Sequence, residues 1–364
     1  MNAPFRLFGA DMSPYALKVR AYLDFKGVDY AWTPRSNANQ PEFAKYAKLP
    51  LSPLLVDAEE KVLQDSTAMI TALEQQFSEP AATPADARLA FIAALLEDYC
   101  DEWLNKATYL YRWSKSEDAA AAAKRTIELL FGDEPAPEGA EDAVADRMAG
   151  RLQHAGASDA NAPIIEASFP RALAALSAHL SDRAFLLGGR PSVADFALYG
   201  QVKQWLSDPT PLALVRTHAP ALEAWAERVA SAKPEGEFES FEALSAALSE
   251  LLKGEVSGAY LQWAMANHTA FADDDQYLKA TIDGAEFQQK TQRMAAKSFA
   301  GLRDAFAATG PDEALASLLA EAGCAFAFAA EEEADKAAAP EAEDAPEDSS
   351  EAEPDADESG DEEA

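Results

Sequence analysis

The sequence is poor in the residues that build disulfide scaffolds and metal centres. Its 364 residues include only 2 cysteines and 4 histidines. Two cysteines as distant as Cys100 and Cys324 exclude a disulfide framework and a four-cysteine zinc site, and we predict that both are buried, inert thiols. The histidines show neither metal-like nor triad-like spacing. We therefore predict that the protein holds no metal.

Basic residues and long apolar runs are also scarce. The chain has 30 Lys and Arg against 63 Asp and Glu, a net charge of -33. Phosphate contacts need clustered basic side chains, so this balance argues against nucleic acid and anionic membranes as partners. No run reaches the ~18 apolar residues of a spanning helix. Residues 1–15 lack the basic and apolar stretches of a secretory signal, which predicts a cytoplasmic protein.

Much of the acidic excess lies in residues 331–364. This segment holds 17 of the acidic residues, one lysine, and no aromatic or β-branched residue. Such a composition buries too little apolar surface to offset chain entropy, so we predict a disordered acidic tail. Its simplest role is to keep the protein solvated. A dedicated partner-binding tail is the alternative.

Strand-like and helix-like segments alternate through residues 1–78. The patterns predict four strands, at residues 5–8, 28–32, 53–56 and 61–63. They also predict three helices, beginning at Pro14, Glu42 and Asp65. Gly27 ends the first helix at a position where a left-handed conformation costs little. The order β-α-β-α-β-β-α predicts a small open sheet flanked by helices.

The composition of residues 78–84 predicts a linker, and residues 85–232 beyond it read as an all-helical domain. The first helix there carries apolar residues at spacings of 3, 4, 3 and 4, which predict one long helix: Leu89, Ile92, Leu96, Tyr99 and Trp103. Further helices are predicted near residues 118–131, 141–155, 162–183, 192–207, 216–231, 239–252 and 255–270. Ser192 and Asp195 form a capping box, which we predict to be structural.

Residues 233–330 form a third predicted segment, an extension that is mostly helical with one hairpin. The pair Asp283-Gly284 favours a type I′ turn and predicts a β-hairpin within residues 276–290. Helices are predicted near residues 291–308 and 312–322. No motif in this segment indicates a function.

Four motifs, taken in order, resemble one known family. They are Ser13-Pro-Tyr-Ala-Leu-Lys-Val19, Pro53-Leu-Leu-Val-Asp57, Gln64-Asp-Ser-Thr-Ala-Met-Ile70 and Phe185-Leu-Leu-Gly-Gly-Arg-Pro-Ser-Val-Ala-Asp195. Over roughly residues 4–232 the chain is similar to the cytosolic glutathione transferase superfamily, as a bacterial type with a C-terminal extension. The resemblance implies a thioredoxin-like N-terminal domain followed by an all-α domain. It also implies glutathione as co-substrate and a homodimer.

Ser13 is the residue that the resemblance places against the glutathione sulfur. The sulfur attacks only as the thiolate. A donated hydrogen bond and the positive end of a helix both lower a thiol pKa, and Ser13, directly before Pro14, would supply both. The alternative is that Ser13 only caps the helix, although one serine can do both. Ala16 and Leu17 follow where relatives often have a second hydroxyl or cysteine, so mixed-disulfide chemistry is not expected.

Two further sites follow from the resemblance. Pro53 matches the family's cis-proline and would leave the Ser52 backbone free to pair with the cysteinyl part of glutathione, although an ordinary trans-proline is the alternative. Ser66 and the free N–H groups of its helix would bind the γ-glutamyl carboxylate, while Asp65 would face the ammonium group. The alternative for this pair is a simple helix cap.

An apolar co-substrate pocket would face Ser13, walled by Tyr15, Tyr109, Tyr111 and Trp113, whereas Tyr99 and Trp103 belong to the packed stripe. Three functions remain open. The first is a glutathione transferase that conjugates the thiolate to a small apolar electrophile. The second is a non-catalytic protein that keeps the fold for binding or assembly, with residues 233–330 as its working part. The third is a glutathione-dependent lyase, isomerase or peroxidase.

Overall fold

A four-stranded sheet and three helices form the N-terminal part of the protein. The computed structural model describes residues 4–329. In chain order, this part contains β1 (Phe5–Gly9), α1 (Pro14–Lys26), β2 (Tyr30–Pro34), α2 (Gln40–Tyr46), β3 (Leu54–Asp57), β4 (Val62–Gln64) and α3 (Ser66–Gln76). The strand order is β2-β1-β3-β4, with β1 and β2 parallel and the other pairs antiparallel. The predicted thioredoxin-like α/β order is confirmed.

The second strand begins two residues later than predicted. Gly27 has a φ of 64° and ends α1 in the left-handed conformation. The Val28 N–H donates to the Leu23 carbonyl at 3.1 Å, which closes the last turn of the helix. Val28 therefore belongs to the C-terminal cap of α1 and not to β2.

Helices make up the next part of the chain. They are α4 (Ala87–Asp98), α5 (Asn105–Ser114), α6 (Ser116–Phe131), α7 (Ala140–Ala149), α8 (Ala162–His179), α9 (Val193–Trp205), α10 (Pro209–His218) and α11 (Ala221–Ala230). Two predictions were wrong here. The long helix is interrupted, because a π-helical segment at Tyr99–Leu104 joins α4 to α5. The helix predicted at 216–231 is two helices, since Pro220 lacks the N–H that would continue α10.

The extension contains helices and one hairpin, as predicted. Its elements are α12 (Phe241–Leu252), a π-helical segment (Glu255–Tyr260), α13 (Leu261–Ala272), β5 (Tyr277–Ile282), β6 (Ala285–Lys290), α14 (Arg293–Ala308), α15 (Glu313–Glu321) and a 3-10 turn (Ala325–Ala327). Asp283 and Gly284 have φ values of 53° and 76°. Two positive φ angles are what a type I′ turn requires, so the predicted turn is confirmed.

Tight packing of α1 against α9 joins the sheet to the helices. A Cβ atom on Gly200 would lie 2.2 Å from the carbonyl oxygen of Pro14, so only glycine allows this approach. Nearby, the rings of Tyr22 and Phe196 meet edge to face at 5.8 Å. The first residues of α1 are therefore fixed by the helical domain behind them.

The extension shares a core with the rest of the protein. Helix α14 packs on α4, and one compact unit runs as far as Phe328. The boundaries predicted at 1–78, 85–232 and 233–330 stay predictions, and the predicted tail lies outside the described residues. Within residues 4–329, no helix combines the length and the apolar character needed to cross a bilayer.

Candidate active site

Three chain segments leave the sheet at the same edge. In the strand register, Phe8 pairs with Leu54, and Leu54 pairs with Gln64. The residues that follow β1, precede β3 and follow β4 must therefore emerge side by side. These are the segments that carry Ser13, the Ser52–Pro53 pair and Asp65-Ser66.

Ser13 is the N-cap of α1. Its Oγ accepts a hydrogen bond from the Ala16 N–H at 3.2 Å, and Pro14 occupies the first helical position. The capping role expected as an alternative is therefore present. It uses only an acceptor site of the hydroxyl, so the Ser13 O–H remains free to donate to a sulfur anion.

The peptide bond between Ser52 and Pro53 is cis, as predicted. The Gln64 side chain holds the loop that precedes this bond. Its Nε2 atom donates to the carbonyls of Leu49 and Leu51, both at 2.7 Å. Gln64 also accepts from the Leu49 N–H at 3.2 Å. Residues 49–51 are thus held against the end of β4 by one side chain.

The start of α3 has a conformation that an ordinary helix cap does not require. Asp65 has a φ of 88°, a region that costs a non-glycine residue about 1–3 kcal/mol and that clusters at functional sites. Its Oδ1 accepts from the Ala68 N–H at 3.1 Å, while Ser66 is buried. In the described part of the chain, the N–H groups of Ser66 and Thr67 have no partner. They suit an anion such as a carboxylate.

A cleft of about 340 Å³ lies between this sheet edge and helices α5, α6 and α7. It contains Ser13, Ser52 and three of the predicted pocket residues, Tyr15, Tyr109 and Trp113. Pro53, Asp65 and Ser66 do not line it, and neither does Tyr111, which packs in the core against Phe169. The other lining residues are Ala10, Met12, Pro14, Pro50, Leu51, Asn105, Thr108, Arg112, Thr126, Leu129, Val144, Arg147 and Met148.

Arg112 ties the segment before Ser13 to the helical domain. Its guanidinium donates to the Met12 carbonyl at 3.1 Å, to Asp208 at 2.7 Å and to Gln204 at 2.7 Å. Gln204 in turn donates to the carbonyl of Asp11 at 3.0 Å. Burial lowers the pKa of Arg112, although Asp208 opposes that shift. Sequence reasoning missed this residue, because its ion-pair partner lies far along the chain.

Two polar groups of the cleft differ in how they are used. The Tyr15 hydroxyl donates to the Asp101 carbonyl at 2.9 Å, and burial raises the pKa of Tyr15 well above its ordinary value. Tyr15 is thus unsuited to proton transfer near neutral pH. The Asn105 Oδ1 atom, by contrast, is buried and has no hydrogen-bond partner among the described residues. A ligand N–H or O–H in the cleft would satisfy it.

A group that we call the buried carboxylate cluster lies behind the cleft: Glu97, Asp98 and Asp101, with Lys18. The Lys18 ammonium is 2.5 Å from a carboxylate oxygen of each of Glu97 and Asp101. It also donates to the Thr67 hydroxyl at 2.9 Å. Burial raises the pKa of Asp101 to about 7, although Lys18 lowers it. Through Thr67, the cluster supports the start of α3.

Other predicted residues lie elsewhere. The Asp195 carboxylate accepts from the N–H and the hydroxyl of Ser192, both at 2.8 Å, and does not line the cleft. Tyr99 and Trp103 are core residues, and Cys100 and Cys324 are buried and unpaired, as predicted. Within residues 4–329, no cluster of His, Cys, Asp and Glu is arranged to hold a metal ion.

Comparisons with known proteins identify relatives of both parts of the chain. A family model for the glutathione S-transferase N-terminal domain matches residues 7–81, and one for the C-terminal domain matches residues 141–228. An isoprene-epoxide–glutathione S-transferase of Rhodococcus sp. strain AD45 is 25% identical over 206 residues, covering 54% of this chain and 84% of the relative. A zeta-class glutathione S-transferase of Euphorbia esula is 34% identical over 90 residues, 40% of its length and 23% of this chain.

Solved structures are also similar. A glutathione S-transferase of Methylobacterium radiotolerans, in complex with glutathione sulfonate, is 20% identical, covers 63% of this chain and 91% of its own, and has a TM-score of 0.42. The two family models match in the family's order, one on the α/β sheet and one on the helices that follow it. The chain therefore belongs to the cytosolic glutathione S-transferase superfamily.

Proposed function

We propose that the protein binds glutathione at the sheet edge and conjugates its thiolate to a small electrophile bound in the cleft. The observation that carries this proposal is the geometry of Ser13: its Oγ accepts from the Ala16 N–H, which leaves the hydroxyl hydrogen for the sulfur. The sulfur would also lie at the positive end of α1. Both effects favour the thiolate over the thiol.

The rest of glutathione would follow the sheet edge. The Ser52 backbone, set by the cis bond to Pro53, would pair with the cysteinyl residue. The free N–H groups at the start of α3 and the Ser66 hydroxyl would take the γ-glutamyl carboxylate. Asp65 uses one carboxylate oxygen for capping, and the other would face the ammonium group. Tyr15, Tyr109 and Trp113 would contact the electrophile.

Ser13→Ala tests this mechanism, and Ser240→Ala is its matched control. Ser240 caps α12 in the same way, accepting from the Ala243 N–H at 3.2 Å, and does not line the cleft. Each variant should lose about 1 kcal/mol of unfolding free energy, because each loses a cap. Only Ser13→Ala should lower kcat with a generic aryl halide, by about 10²-fold, the usual effect of removing one donor to a developing anion.

The pKa of bound glutathione gives a second measurement. Ultraviolet absorbance of the thiolate should show a raised thiol pKa in Ser13→Ala and the wild-type value in Ser240→Ala. Equal conjugation rates in both variants would remove Ser13 from the mechanism. Glutathione binding without turnover of any electrophile would favour a non-catalytic binding protein. Turnover without a thioether product would favour a lyase, isomerase or peroxidase.

We also infer a cytoplasmic homodimer. Both cysteines, Cys100 and Cys324, are buried and unpaired, which suits a reducing compartment. The homodimer is what the resemblance to glutathione transferases implies. Cell fractionation and light scattering at several protein concentrations test the two inferences separately. A stable monomer in solution would contradict the second.

A further inference from the structure

The cleft differs in charge from the chain that forms it. Of 63 acidic residues in the sequence, none lines the described part of the cleft, whereas Arg112 and Arg147 both do. In a chain with a net charge of -33, a concave surface without carboxylates attracts anions relative to its surroundings.

The two arginines have different surroundings. Arg112 is buried, and its guanidinium donates to Asp208, Gln204 and the Met12 carbonyl, so its hydrogens are already used within the protein. Arg147 lies on the exposed side of α7 and makes no hydrogen bond or ion pair with any described residue. Of the two arginines, Arg147 is therefore the one whose guanidinium is free to pair with a ligand.

Helix geometry sets this charge beside an apolar wall. Val144, Arg147 and Met148 are spaced by three and four residues, so they share one face of α7. Val144 packs with Trp113 in a small apolar cluster at the back of the cleft. A ligand bound against α7 would therefore contact an apolar surface, with the Arg147 guanidinium at the rim of the cleft.

Building on the proposed glutathione site, we propose that the co-substrate is an electrophile with an apolar body and a carboxylate group. The body lies against Trp113, Val144 and Met148, and the carboxylate pairs with Arg147, whose planar fork matches a carboxylate. Glutathione is held on the sheet side, at Ser13 and Ser66, which leaves α7 to the co-substrate. With an aryl chloride, the sulfur forms a C–S bond, the C–Cl bond breaks with chloride leaving, and the thiol proton passes to solvent.

The test compares 4-chloro-3-nitrobenzoate with its methyl ester, which has the same body and no charge. Each kcat/KM is divided by the uncatalysed rate, because the two compounds differ in intrinsic reactivity. In Arg147→Met, the acid-to-ester ratio should fall about three- to tenfold, the effect of losing one partly exposed charge pair. Arg147→Lys should restore part of the ratio. In the wild type, added salt should also lower it.

Arg151→Met is the matched control. It removes the same charge one turn further along the chain, at an exposed residue outside the cleft, and should leave the ratio unchanged. If Arg147→Met reduces turnover of acid and ester equally and raises KM for glutathione, Arg147 serves glutathione and the proposal is wrong. An unchanged ratio in Arg147→Met is equally contradictory. If the wild type neither binds glutathione nor conjugates either compound, the proposed function fails as well.

Discussion

The cleft and the buried carboxylate cluster both draw residues from the helical run of α4, the π-helical segment and α5, and they use charge in opposite ways. In the cluster, Glu97 and Asp101 surround Lys18, and Asp98 accepts from the hydroxyls of Tyr260 and Ser298 in the extension. Each of these carboxylates has a partner within the protein. The cluster therefore joins α1, α4 and the extension, and its charges are structural.

In the cleft, three polar groups are unpaired, whereas Tyr15 and Arg112 have partners within the protein. The Ser13 hydroxyl hydrogen, the Asn105 Oδ1 atom and the Arg147 guanidinium have no partner in the described residues. Unsatisfied groups are costly when buried and useful when a ligand completes them. Whether a polar group has a partner within the protein therefore distinguishes a structural role from a ligand-binding role better than the type of residue does. Substitutions in either region test this distinction.

The largest expected effect is on the cluster. Lys18→Met leaves two carboxylates buried without their cation, which should lower the unfolding free energy by about 3–5 kcal/mol. Lys45→Met is the matched control, because Lys45 pairs with Glu60 at 2.9 Å but both side chains are exposed. That variant should stay close to the wild type. Urea unfolding followed by fluorescence measures both, and equal losses would show that the cluster is not structural.

A smaller effect concerns pH. Burial raises the pKa of Asp101 to about 7, above the value near 4 that it has when unfolded. Because the folded state binds this proton more tightly than the unfolded state does, the protonated carboxyl group stabilises the folded protein at low pH. This contribution to the unfolding free energy decreases as the pH rises above about 4 and is lost once the pH passes 7. Relative to Asp101→Asn, the wild type should lose up to about 1.4 kcal/mol per pH unit between about pH 5 and 7.

Unfolding curves for both proteins at several pH values measure this difference. Asp101→Asn keeps the size of the side chain and cannot titrate, so the contrast isolates one carboxyl group. A difference in unfolding free energy that stays constant with pH would mean that Asp101 is ionised throughout, held by Lys18.

Local signals made much of the fold predictable. Ser13, Gly27 and the Asp283-Gly284 pair each set a helix end or a turn through backbone geometry that one or two residues determine. The π-helical segment at Tyr99–Leu104 was not predictable, because the apolar spacing there suits a regular α-helix. An extra residue in a turn rotates everything after it by about 100°, so the faces of α5 could not be derived from the stripe on α4.

The site was predictable on the sheet side and, on the helical side, at Tyr109 and Trp113. The family motifs mark Ser13, Pro53 and Ser66, each fixed by its own helix or strand end. The rest of the opposite wall depends on how distant helices meet. Nothing near Arg112 in the sequence indicates Asp208, and nothing near Arg147 indicates that α7 closes the cleft. Such contacts are products of tertiary packing, which periodicity does not encode.

The smallest expected effect concerns the lack of carboxylate side chains in the lining of the cleft. Met148 is half-buried in its wall, and Met148→Glu places a carboxylate there at similar length, with Met148→Gln as the uncharged control. Glutathione carries a net negative charge, so a repulsion of about 0.5–1 kcal/mol should raise its KM roughly two- to fivefold in the Glu variant beyond any change in the Gln variant. Steady-state kinetics at low and high salt separate charge from shape, because only repulsion is screened. Equal KM values in the two variants at low salt would show that freedom from carboxylates does not govern ligand entry, and the contrast with the cluster would then be one of packing alone.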